Sequence, residues 1–335
     1  AANRRGVLPV VPSFPPAVVV TRLPTMGRMP QEHYYGGQAV LEGVMMRGRD
    51  HWAIAVRKPA GDLHLEGHGI DSIAKRYRVL RWPGLRGVIA LGQALSIGVK
   101  ALAISANQSS EEEEQLTPRQ MAFSMTIAFV IFIGVFIVLP AFVSNLARDR
   151  VGSGILLNVA EGIFRVLLFL GYLWLIGRMG EIRRVFEYHG AEHKTIAAYE
   201  HGDVLEPAAV DRYSTLHVRC GTNFLLIVMI LTVFVFAFFG TPSLGWRIGS
   251  RLLAIPIIAG LAFEALRLGA RYHRSPVMRA LMAPGLWLQK ITTKPPSEDQ
   301  IEVAIASFQE VRRMEAAAAE GAPAESPAPP VPEPD

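Results

Sequence analysis

Cysteine is nearly absent from this chain: there is one, Cys220, in 335 residues. A lone thiol excludes any intramolecular disulfide and agrees with a reducing compartment. Charge is sparse as well, at 19% of residues against 50% hydrophobic. The mean hydropathy of +0.27 is high for a soluble chain that also carries charged segments. No aromatic-basic motif of a nucleic-acid reader is present, so no nucleic-acid partner is expected. The excess of five positive charges is assigned instead to juxtamembrane segments drawn to anionic lipid. There is no internal repeat. The first apolar run, Val18 to Val20, is too short for a signal peptide.

The apolar residues are concentrated. Met121 to Val143 holds no charged side chain and is long enough to cross about 30 Å of hydrocarbon as a helix. Ile155 to Gly177 is similar but contains Glu161 and Arg165. Phe224 to Phe239 is short and dense, and Leu252 to Phe263 spans only if Ile248, Gly249 and Leu266 join it. Four crossings are expected. The loop from Arg178 to Thr222 carries six arginines and lysines, whereas Ser144 to Gly154 and Thr241 to Ser250 carry few. By the positive-inside rule that loop and both termini face the cytoplasm.

The fold expected is an all-α membrane protein of about four transmembrane helices, with cytoplasmic amphipathic helices and a small β-hairpin element. Residues 1–31 read as a disordered tail rich in Pro and Arg. Residues 32–83 form a cytoplasmic glycine-rich and β element, in which Trp52 to Arg57 and Asp62 to Glu66 alternate around Pro59-Ala60-Gly61 as a hairpin. Residues 84–118 combine an interfacial or bundle-packed helix, Leu85 to Ala103, with an acidic linker. Residues 119–271 hold the four spans and the histidine loop 178–222, with the second span expected to run on as a helix into the motif. In 272–315, Pro276 to Ile291 is amphipathic, Ser297 with Gln300 reads as a capping box, and Ile301, Ala304, Ile305 and Phe308 share one face. Residues 316–335 are an Ala/Pro/Glu tail expected to be disordered.

The most informative stretch is His189-Gly190-Ala191-Glu192-His193, followed by His217 and Cys220. On a helix His189 and His193 are i and i+4, so both rings leave one face, a spacing that suits a divalent metal. His189 and His193 are the first candidate ligands, with His217, Cys220 or Glu200 completing the shell. Cys220 would bind as thiolate, which zinc favours. Glu192 is the candidate catalytic base. The order H-x-x-E-H is that of inverted zinc peptidases. Those enzymes use large soluble domains that a short loop between two spans cannot hold, so the spacing alone does not make a peptidase. The competing reading is a polar helix and loop bonded to itself and to lipid head groups.

Four separated blocks resemble the YqhQ-like bacterial membrane proteins: Gly36-Gly37-Gln38-Ala39-Val40-Leu41-Glu42-Gly43-Val44-Met45, His189 to Thr195, Arg219-Cys220-Gly221-Thr222, and Pro284-Gly285-Leu286-Trp287-Leu288-Gln289-Lys290. The resemblance runs from about Tyr35 to Phe308. It implies a family of unknown function often labelled a metal-dependent enzyme. Where that family often has a proline before Arg-Cys-Gly, this chain has Val218.

Other charges have structural readings. Glu161 and Arg165 have the spacing of an intrahelical pair that fixes packing, with a polar pathway as the alternative. Glu264 and Arg267 admit the same readings near an interface. Glu42 is placed either in a glycine turn or against the histidine segment, and His51, His64 and His68 on the hairpin surface. Two functions stay open: a metal-dependent hydrolase at the cytoplasmic leaflet, or a non-catalytic factor binding protein partners in membrane-protein insertion, assembly or quality control.

Overall fold

The computed structural model describes residues 35–71, 77, 80, 82, 84–111, 115–151, 154–217, 220–238, 243–272 and 275–321. The expected tails 1–31 and 322–335, most of the glutamate run and Val218-Arg219 lie outside the described residues.

Four antiparallel strands come first, in the order β1 (Gly36–Val40), β2 (Gly43–Arg47), β3 (His51–Arg57), β4 (Leu63–Gly69). The expected hairpin is β3–β4, with Arg57 opposite Leu63. The glycine-rich block forms a second hairpin, β1–β2, with Val40 opposite Gly43. It hides from a period-two reading because β2 and β3 are buried on both faces, which makes a strand read as a continuous apolar run. Val44, Met46, Ala53 and Ala55 enter one core, while Met45, Trp52, Ile54 and Val56 enter another. The β1–β2 turn puts Glu42 at φ 49, a region that residues with a Cβ seldom adopt.

The long helices among the described residues are α1 (Leu85–Gln108), α2 (Pro118–Leu146, with a π-turn at Gly134–Val138), α3 (Ile155–Ile176), α4 (Gly180–His201), α5 (Gly221–Ala237), α6 (Leu244–Arg271), α7 (Pro276–Thr292) and α8 (Glu298–Gly321). One face of the sheet is covered by α4 and α8, through Tyr188, Ile196, Ile301, Ala304, Phe308 and Val311. The Phe308 ring lies 4.9 Å from both Tyr35 and Tyr199. The other face is covered by Ile97 and Ala101 of α1. Helix α8 starts at the expected capping box, in which Ser297 N–H donates to Gln300 Oε1 at 2.9 Å. It runs on through Ala316 to Gly321, past the point where composition places a disordered tail. Alanine favours the helix, and Glu315 holds it to the sheet by accepting the N–H groups of Asp50 and His51 at 2.8 and 3.0 Å.

Four helices are long and apolar enough to cross a membrane: α1, α2, α3 and α6. Their exposed faces carry large apolar side chains such as Phe123, Phe129, Leu167 and Leu253, the composition of a surface that meets lipid. The chain is a helical membrane protein with a small β element. Two spans are where hydropathy puts them, and α6 is the last one lengthened at both ends. Helix α1 was expected in the interface or packed on the bundle; it is long enough to span, and Gly87 packs closely on Gly260 of α6. Helix α5 is the short run expected as a crossing; its 17 residues extend about 26 Å, a little under the usual hydrocarbon thickness. The second span does not run on into the motif. It ends at Ile176, and α4 starts separately after an extended Met179.

Pro140 has no N–H for the carbonyl of Phe136, one turn earlier. That carbonyl instead accepts Arg165 Nε of α3 at 2.9 Å, so a polar group at membrane depth finds its partner on another helix. Arg165 also donates to Glu161 at 2.8 Å, the expected pair. Glu161 further accepts Arg251 Nε and Nη2 of α6, at 2.7 and 2.9 Å, and Ser144 Oγ of α2, at 3.0 Å. The pair is therefore one part of a buried network joining three helices. Glu264 of α6 pairs with Arg86 of α1, Nε and Nη2 lying 2.6 and 2.5 Å from its oxygens.

Two predictions follow from this packing. Phe308→Ala should cost about 3–5 kcal/mol of stability, read as a lower melting temperature of the detergent-purified chain; an unchanged melt would show that the sheet does not depend on α8. Glu161→Ala should cost about 3–5 kcal/mol by depriving the buried Arg251 and the half-buried Arg165 of their carboxylate. Thermal melts of Glu161→Ala and Glu161→Gln side by side check this, the isosteric amide losing less.

Candidate metal centre

The histidine motif lies within α4, which ends at Gly202 in the left-handed region, φ 77, the usual glycine stop. The helix turns different residues to different neighbours. Arg184 and Tyr188 face the β1–β2 turn: Arg184 pairs with both oxygens of Glu42 at 2.5 Å, and Tyr188 Oη lies 3.3 Å from Glu42. Glu42 thus packs against the histidine helix, on the turn that leads into His189. Burial and the Glu42 carboxylate hold the Tyr188 phenol above its ordinary range.

His189 and His193 stand one turn apart with ring centroids 4.4 Å from each other. His189 Nδ1 lies 2.8 Å from the Thr292 carbonyl at the end of α7, and His193 Nδ1 lies 2.5 Å from the Thr215 carbonyl. A carbonyl oxygen can only accept, so both Nδ1 atoms donate, and in the neutral rings it is Nε2 that keeps the lone pair. Cys220 Sγ lies 3.2 Å from His189 Nε2. One ligand atom from each of His189, His193 and Cys220 lies within 4.8 Å of the others. For comparison, a tetrahedral zinc with bonds of about 2.0–2.3 Å sets its ligand atoms about 3.5 Å apart. By donor type and separation, the group could hold a metal ion.

Cys220 is the N-cap of α5. Its sulfur accepts the Thr222 N–H at 3.4 Å and lies 3.1 Å from Thr222 Oγ1. Burial still pushes the thiol up to about 11, with the Glu192 charge adding to the rise. Burial, followed by the neighbouring His189, holds His193 well below the ordinary imidazole value. Glu192 is buried against β1. Burial raises its carboxyl to about 7, while His189 and the Gly37 N–H oppose the rise. A Cβ at Gly37 would sit 2.9 Å from Glu192 Cγ and Cδ, so only glycine lets the strand pass this close.

The structure therefore brings together His189, His193 and Cys220, with Glu192 beside them. His217 stands next to His193, ring centroids 5.6 Å apart, and its Nε2 turns to Glu200 Oε2 at 3.5 Å. Burial lowers its imidazole too. Arg219 of the third block is outside the described residues. The sequence reading missed the carbonyls of Thr215 and Thr292, because a backbone oxygen leaves no mark in residue type. It also missed Lys194, whose Nζ donates to the carbonyl and, at 2.9 Å, to the carboxylate of Asp211. That pairing ties the segment after α4 back to the helix.

A helical membrane protein with a sheet-capped polar centre is the class that fold and geometry define. Residues 82–314 match the family described as "Protein of unknown function (DUF1385)", and the chain belongs to that family. It is 36% identical over 296 residues to "Uncharacterized protein YqhQ" of Bacillus subtilis (strain 168), covering 84% of this chain and 93% of that one. No solved structure matches.

Gly190 tests the local fit. A Cβ there would collide with the Lys294 carbonyl and crowd Thr215 Cγ2 at 3.2 Å. Gly190→Ala should therefore cost about 1–3 kcal/mol by overpacking, since it pushes on the segments that carry both carbonyl anchors. A lower melting temperature of the variant checks this.

Proposed function

We propose that His189, His193 and Cys220 hold a divalent transition metal, with zinc the best match, and that the protein is a metal-dependent hydrolase at the cytoplasmic face of a bacterial inner membrane. The observation that carries this reading is the anchoring of both imidazoles. Each donates Nδ1–H to a fixed backbone carbonyl, and His189 turns its Nε2 to the Cys220 thiol, the outer-shell arrangement that orients histidine ligands. Two imidazoles and a thiol form a borderline-soft donor set suited to zinc. Three protein ligands leave a position for water or substrate, and a metal ion there supplies Lewis-acid polarisation and acidifies bound water. Glu192, buried beside the ligands, is the group assigned here to take up and return a proton. The Gly37 N–H holds its carboxyl in place. The orientation rests on loop charge: the basic segments around α4 and after α6 face the cytoplasm, and both termini lie on that side.

Burial favours a second reading. His193 and Cys220 are 2% and 5% exposed, which suits a closed structural centre. In that reading the metal clamps α4, α5 and α7 together in a non-catalytic factor whose protein partners act in membrane-protein insertion, assembly or quality control.

Metal analysis and melting of detergent-purified full-length chain separate these readings. Stoichiometric zinc should be retained, and His189→Ala, His193→Ala and Cys220→Ser should each lose it and melt lower. Retention of no transition metal, with melting of those variants unchanged, would sink the metal centre. Glu192→Gln should keep metal and melting while failing to complement a deletion strain. Full complementation by Glu192→Gln would reject the hydrolase in favour of the structural clamp.

A further inference from the structure

The fourth block of the sequence, Pro284 to Lys290, supplies no ligand and no acid to the centre, yet its Gln289 is fully buried. The Gln289 amide makes three hydrogen bonds. Its Oε1 accepts the His217 N–H at 2.8 Å. Its Nε2 donates to the His217 carbonyl at 2.9 Å and to Asn223 Oδ1 at 3.0 Å. One carboxamide thus matches both backbone groups of a single residue, as a neighbouring strand would, and keeps a donor for the second partner.

The two partners bracket the cysteine ligand, His217 preceding Cys220 and Asn223 following it. Asn223 is 1% exposed. Its N–H donates to the Cys220 carbonyl at 3.1 Å and also reaches the thiol. Gly285 lies one turn before Gln289 on the same face of α7, and Asn223 Oδ1 fills the space a Cβ would need there. Thr292, whose carbonyl anchors His189, ends the same helix.

We infer that Gln289, with Asn223 and the gap at Gly285, is the positioning clamp of the metal centre, holding His217 and Asn223 on either side of Cys220 so that its Sγ stays beside His189 and His193. This rests on the metal reading above. Gln289 is a positioning residue and touches neither metal nor substrate. Asn223→Ala removes one arm of the clamp. Gln289→Glu removes both donors and sets a carboxylate oxygen against the His217 carbonyl and Asn223 Oδ1. Outer-shell partners of this kind change metal affinity about 10–100-fold.

The test is a cobalt(II) titration of chelator-stripped, detergent-purified full-length chain, reading affinity by competition and the sulfur-to-cobalt charge-transfer absorption that reports a thiolate ligand. Gln289→Glu and Asn223→Ala should bind cobalt about 10–100-fold more weakly than the unmodified chain, with a diminished thiolate band. Phe308→Ala, which weakens the core on the far side of α4, should melt lower yet keep the full band and affinity. If Gln289→Glu does not fold, Asn223→Ala decides alone. The clamp is overturned if the clamp variants bind cobalt like the unmodified chain, or if Phe308→Ala loses as much affinity as they do. If the unmodified chain shows no thiolate band, the metal reading fails first and takes the clamp with it.

Discussion

The structure depends on a helix from the far end of the chain that packs against both the sheet and the histidine helix. Ile301, Ala304, Phe308 and Val311 of α8 fill one core with Val44, Met46, Ala53 and Ala55 of the strands and with Tyr188 and Ile196 of α4. A four-stranded sheet of this size needs a packed face to be stable, and α8 and α4 supply one together. The same packing brings β1 against α4, where Gly37 closes over Glu192. The electrostatics of the centre follow from that closure. Without the strand, Glu192 would be solvated and its carboxyl would have no reason to rise to about 7.

The second organising constraint is the rule that polar backbone and charge must find partners away from water. It explains two places with little else in common. In the membrane helices, the Phe136 carbonyl orphaned by Pro140 is met by Arg165, and Glu161 gathers two arginines and a serine from three helices. At the centre, the carbonyls of Thr292 at the end of α7 and Thr215 in the loop after α4 are met by imidazole N–H groups. In both cases a side chain satisfies a backbone oxygen that the local structure does not, and its own geometry is fixed in return. For His189 that geometry leaves Nε2 facing the Cys220 thiol.

Much of this was legible in residue order. Periodicity and length locate α2, α3, the β3–β4 hairpin, the capping box at Ser297 and the buried face of α8. The i, i+4 histidines are a local property of a helix and read directly. Other features depend on residues distant in the chain. Arg251 joins Glu161 from 90 positions away, and no local pattern marks it. The β1–β2 hairpin escapes because burial on both faces removes the alternation that identifies a strand. Helix α1 is ambiguous because one apolar stretch can serve lipid, a sheet and a neighbouring helix equally well.

The sequence by itself determined the class: a membrane protein with one thiol, two helix-paired imidazoles and an adjacent carboxylate between apolar runs. Composition and 3.6-residue periodicity suffice for that, because both are properties of contiguous segments. Only the tertiary structure decided which candidates meet. It brought Cys220 to His189, turned His217 toward Glu200, and set Glu42 on Arg184. It also gave Gln289 of the fourth block a place beside the cysteine. These outcomes depend on how α4, α5 and α7 pack and on which backbone carbonyls are left over for histidine to satisfy.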